Sequence, residues 1–140
     1  MKLHSALPAL AALALAVPAA AQNDTQAETA KMDRGEQKLA KLLEGRVAGE
    51  PTNCVMHRPN ARLYVIDETA LVYDAGSTIY VNYTSDPESL DDHDYLVLRN
   101  PTPSICRTTQ ITTRDRGSNT FSGVIFLTDF IPYERVREEG

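Results

Sequence analysis

The loop Asp86-Pro87-Glu88-Ser89-Leu90-Asp91-Asp92-His93-Asp94 carries the densest set of side chains able to do chemistry. Asp86, Glu88, Asp91, Asp92 and Asp94 supply carboxylates, and His93 supplies an imidazole. Carboxylate oxygens gathered on one loop bind Ca²⁺. They also present a negative face to a basic partner. The spacing is not that of an EF-hand, which needs ligands at alternating positions and a glycine at the sharp turn. A solvated acidic loop is the plain reading. The functional readings are an acidic partner face and, as the alternative, a small-ligand or Ca²⁺ site built on residues 86–94.

Cys54 and Cys106 are the only cysteines. In an oxidising compartment they pair, closing a loop of roughly fifty residues worth about 4 kcal/mol in the chain-entropy model. Cys54-Val55-Met56-His57 has a C-x-x-H look, but a closed zinc site needs four ligands and only Cys106 and His93 remain. Pairing also removes a Cys–His nucleophile. Asp74-Ala75-Gly76-Ser77 faintly resembles an aspartic-protease triplet. That chemistry needs two carboxylates sharing a proton, and Asp-x-Gly is ordinary turn chemistry. There is no G-x-S-x-G elbow and no glycine-rich phosphate loop, so no catalytic residue, metal or cofactor is assigned.

Tyr64, Tyr73, Tyr80, Tyr83 and Tyr95 fall on or near predicted strands, where cross-strand packing is the plain account and an exposed binding platform the functional one. Asn23-Asp24-Thr25 and Asn82-Tyr83-Thr84 fit the glycosylation sequon, which matters only in a eukaryotic secretory pathway.

These residues need an address and a scaffold. Lys2, the uncharged run Ala6–Val17 and the small residues Ala19-Ala20-Ala21 form the three-part layout of a signal peptide over residues 1–21. The run is about a dozen residues, short of the roughly 20 that span a membrane. No cysteine follows the cleavage point to carry a lipid. The expected location is therefore periplasmic or secreted, with no membrane span.

The full chain has 14 Lys and Arg against 19 Asp and Glu, a net charge of −5, and loss of Lys2 makes it one unit more negative. Nucleic acid is a poor partner for such a chain, because phosphate binding needs a basic face. No Lys or Arg lies between Arg62 and Arg99, a stretch with eight acids, whereas Arg99 to Arg116 holds four Arg and one acid. The asymmetry predicts either attraction between neighbouring strand groups or an acidic face for another envelope protein with a basic surface. An inhibitor of a basic enzyme such as a lysozyme is a subcase without a signature in the sequence.

Residues 22–32 read as a flexible lead-in. Asp33 and Glu36 fit a capping box, and Leu39, Leu42, Leu43 and Val47 share a helical face that Gly45 ends. Strands are predicted at Arg62–Ile66, Ala70–Asp74, Thr78–Tyr83, Tyr95–Arg99, Ile105–Thr113 and Phe121–Ile131, the last as a central strand ended by Pro132. Turns fall at Asp67-Glu68-Thr69 and at Asp74-Ala75-Gly76-Ser77. Residues 134–140 read as a charged tail.

The runs Leu43-Glu44-Gly45-Arg46-Val47-Ala48-Gly49-Glu50-Pro51, Asp67-Glu68-Thr69-Ala70-Leu71-Val72-Tyr73 and Gly123-Val124-Ile125-Phe126-Leu127, with the two cysteines, resemble a family of small exported proteobacterial proteins of unknown function. The resemblance spans about Leu39 to Tyr133. It implies a leader followed by a two-cysteine β domain and assigns no functional residue. The expectation is one disulfide-closed domain over 33–133, mainly β. It is a small antiparallel barrel or sandwich of about six strands with one N-terminal α-helix, acting as a non-enzymatic interaction module.

Overall fold

The computed structural model describes residues 34–99 and 102–137. The predicted leader 1–21, the lead-in 22–32, the cap at Asp33 and the sequon at Asn23 lie outside the described residues. Among the described residues the fold is mainly β, as expected, with one α-helix, α1 (34–42), and ten strands rather than six. The strands are β1 (Arg46–Ala48), β2 (Cys54–Met56), β3 (Arg62–Ile66), β4 (Ala70–Asp74), β5 (Thr78–Asn82), β6 (Asp94–Leu98), β7 (Ser104–Cys106), β8 (Ile111–Asp115), β9 (Phe121–Ile125) and β10 (Ile131–Arg135). They form three antiparallel sheets that do not close into a barrel. One is five-stranded, in the order β1-β10-β5-β4-β3. The others are the ribbon β2-β7 and the three-stranded sheet β6-β8-β9.

Strand alternation gives the five-stranded sheet two apolar faces. Ile66, Val72, Ile79 and Val81 meet Leu39 of α1 on one face. Leu71, Tyr73 and Val65 face the other way, onto Val55 and Ile105 of the ribbon and Ile111 and Ile125 of the three-stranded sheet. The molecule is thus three layers: helix, large sheet, then the two small sheets.

The helix stops where Gly45 takes φ +72°, a left-handed conformation that costs glycine little. Val47 does not continue the helical face: it lies in β1 and is 59% exposed. Gly35, which the propensities mark as a weak first turn, serves close approach instead. A Cβ there would lie 1.8 Å from Thr69 Oγ1 and 2.7 Å from Asp67 O.

β3 and β4 match the predicted strands residue for residue. Their turn uses Glu68 at φ 48° and the bond from Thr69 N–H to Ile66 O. The β4–β5 turn is set by Gly76 at φ +88°, whose N–H donates to Asp74 Oδ1 at 2.9 Å.

Two predicted strands are each divided. Ile105–Thr113 breaks after Cys106, where Cys106 N–H donates to Thr109 Oγ1 at 2.9 Å and Thr109 N–H to Cys106 O at 2.7 Å. Phe121–Ile131 breaks because fully buried Asn82 holds Thr128. The Asn82 amide donates to Thr128 O at 2.8 Å, and its Oδ1 accepts from Thr128 N–H at 3.0 Å. That clamp turns the chain out of β9 and into β10. β10 then runs on through Pro132 to Glu134 and Arg135, inside the predicted tail. Pro132 leaves the ladder to β5 intact: its main chain faces the other way, where its carbonyl accepts from Gly49 N–H just past the end of β1.

Candidate functional site

The disulfide joins Cys54 to Cys106, and no cysteine among the described residues is free. The pair sits opposite in the β2–β7 register. Arg107 N–H bonds Asn53 O and His57 N–H bonds Pro103 O. By alternation, Cys54 and Cys106 occupy a non-hydrogen-bonded position, where side chains approach most closely. With both sulfurs in the bond, Cys54 and His57 offer no zinc pair.

The acidic loop is divided by an anchor that composition does not reveal. Leu90 is only 2% exposed and packs in the core, and its carbonyl accepts from Glu68 N–H at 2.9 Å. Before it, Asp86 and Glu88 flank the short 3-10 turn Pro87–Ser89. After it come Asp91, Asp92 and Asp94, the last at the start of β6. Asp86, Glu88, Asp91 and Asp92 are exposed and Asp94 is half-buried.

The exposed triad Asp91, Asp92 and His93 brings its ligand atoms within 4.8 Å of one another. His93 Nδ1 lies 3.3 Å from Asp91 Oδ1 and 3.2 Å from Asp92 Oδ1. Arg116 reaches this loop, but through main-chain oxygens. Its Nε donates to His93 O and its terminal nitrogen to Asp94 O, each at 3.3 Å. The predicted attraction between the acidic and basic stretches is therefore partly internal, yet among the described residues it leaves the loop carboxylates without an arginine.

Asp74 forms an ion pair with Arg62 at 3.0 Å. The tyrosines do not form a platform. Tyr73 is buried and tilted against Tyr80 at a ring separation of 6.1 Å. Its hydroxyl accepts from Arg58 N–H and donates to Met56 O. Tyr64 packs on the helix side, and Tyr95 bonds Asn119 at the far sheet. Buried Asn82 has both amide atoms engaged, so the Asn82 sequon is a structural clamp and no glycan acceptor.

An apolar groove of about 460 Å³ lies beside α1, lined by Leu39, Ala40, Leu43, Tyr83 and Pro87. Burial, then Tyr133 and Glu36, push the Tyr83 phenol up from its ordinary value. On the outer face of β6-β8-β9, Arg99 and Arg114 flank Phe121, which is 61% exposed.

A third cleft, of about 290 Å³, touches the consecutive residues Leu63, Tyr64 and Val65 of β3 and Tyr95 and Leu96 of β6. Consecutive strand residues point to opposite faces. A cleft that meets them all therefore lies against the main-chain edges of both strands. Sequence reasoning missed this feature, because which strands become edges follows from sheet order alone.

Comparison with protein-family models, with curated proteins and with solved structures finds no match.

Proposed function

We propose that this chain is an exported envelope protein that works as a protein-interaction module, meeting a basic partner through the loop 86–94. One observation carries the reading. The carboxylates of Asp86, Glu88, Asp91 and Asp92 are exposed, and among the described residues none pairs with Lys or Arg. Arg116, the guanidinium at the loop, is held on carbonyls instead. Unneutralised charge gathered on one loop of a chain of net charge −5 steers a cationic surface. The disulfide fits export to an oxidising compartment, and no described helix is long and apolar enough to cross a membrane.

The Ca²⁺ reading draws less support. Ca²⁺ takes six to eight oxygens. The triad offers two carboxylates and a nitrogen, and the carbonyls of His93 and Asp94 already accept from a cation.

The test is affinity capture from an envelope extract with the oxidised protein, beside the variant Asp91→Lys/Asp92→Lys. The expected result is a stoichiometric partner retained at low salt, weakened at moderate salt and lost with the variant. Equal capture by the variant would sink the acidic-face reading.

A further inference from the structure

We infer that the cleft between β3 and β6 is a docking site for one extended segment of a partner protein, apolar where it meets the core and basic at the end that meets the start of β6. This rests on the interaction-module reading and names how the partner is held.

The main-chain directions follow from the ladders. Ala75 N–H bonds Thr78 O, so Tyr73 and Leu71 aim their main chain at β5, and Asp74 and Val72 aim theirs at β3. In register, Arg62 and Tyr64 face β4, leaving the N–H and C=O of Leu63 and Val65 on the open side. Likewise Asp115 N–H bonds Thr120 O, so Asp115 faces β9 while Arg114 and Thr112 face β6. Tyr95 and Val97 answer them, leaving Leu96 and Leu98 on the open side. Leu63, Val65, Leu96 and Leu98 all line the one cleft. No ladder joins β3 to β6.

An added strand meets donors and acceptors on both sides there, which is β-augmentation at two edges at once. Its side chains alternate between two faces. On the core side they meet Leu63, Leu96 and Leu98, half-buried against the main core. Asp94 shares a strand face with Leu96 and Leu98, so with Asp92 it supplies charge at the start of β6 that complements a basic side chain at that end of the segment. Arg116 also lines it, but its guanidinium bonds His93 O and Asp94 O, leaving these carboxylates without that partner.

The test uses the isotope-labelled oxidised protein and a capped extended peptide with valines along its length and lysines at one end. A control peptide is N-methylated on the amides that would pair. The expected result is that the amide signals of Leu63, Val65, Leu96 and Leu98 shift and their hydrogen exchange slows at least tenfold. The N-methylated peptide should bind at least tenfold more weakly, and Asp92→Asn/Asp94→Asn should weaken the parent peptide at low salt. Equal binding of both peptides overturns the inference. So does a response confined to residues 86–94, which would leave the acidic-face reading standing. Protection of the same amides by raising protein concentration without peptide would assign the cleft to a second copy and also overturn it.

Discussion

The two sheets have outer edges and inner edges, and the chain treats them differently. The outer edges are blunted. β1 is three residues long. β9 carries an irregularity opposite Thr113 and Arg114. These are familiar devices against edge-to-edge pairing. The inner edges, β3 and β6, are five residues each, with no proline, no bulge and no lysine. Both line the same cleft. The contrast teaches that an edge sheltered by another edge needs no blunting against whole sheets, yet still admits a single strand.

The largest expected effect comes from cutting the covalent frame of the domain. The disulfide ties the strand preceding β3 to the strand preceding β8 across 52 residues. Cys54→Ser/Cys106→Ser should cost about 4 kcal/mol by urea unfolding. A loss under about 1 kcal/mol would show that the frame holds without it.

Next is Asn82→Ala, which releases the crossover from the blunted edge β9 into the middle of the large sheet. Thr128 N–H and C=O would lose buried partners, at about 3 kcal/mol together. Unchanged stability would mean that the apolar run itself sets the bend.

A proline series sharpens the comparison directly. Tyr64→Pro and Val97→Pro remove ladder bonds, while Leu63→Pro and Leu96→Pro remove only N–H groups on the open side. The second pair should be milder by about 2 kcal/mol in thermal or urea unfolding. Equal costs would contradict the assigned main-chain directions.

The smallest effect lies at the outer side, in the β8–β9 turn. Asp115 Oδ1 accepts from Gly117 N–H, Ser118 N–H and Ser118 Oγ. The bonds from Ser118, side chain first, hold this carboxyl below its usual value of 3.8. A lowered folded pKa means the stabilisation is present above the unfolded value and fades as pH falls through the folded one. Asp115→Asn should remove only a slight part of the stability change below about pH 4. A variant with an unaltered acid limb would show that the turn forms without the charge.

Much of this was legible in the residues. β3, β4 and their turns were readable because alternation, Gly76 and the Asp67-Glu68-Thr69 connection act within a few residues. The disulfide was legible from compartment and count. The breaks were not. Phe121–Ile131 reads as one strand because its apolar run is continuous, and the clamp that bends it sits 46 residues away at Asn82. Leu90 looked like one apolar residue in a polar loop, and only the assembled core gives it a socket. The acidic residues could be read as a cluster, but the cleft beside them required sheet order, which no local pattern carries.

The most direct measurement is residue-resolved amide hydrogen exchange on the free, oxidised protein. Alternation predicts fast exchange at Leu63, Val65, Leu96 and Leu98 beside slow exchange at Tyr64, Ile66, Tyr95 and Val97. Uniform protection along both strands would mean that β3 and β6 are already bonded, and would contradict the open cleft on which the account rests.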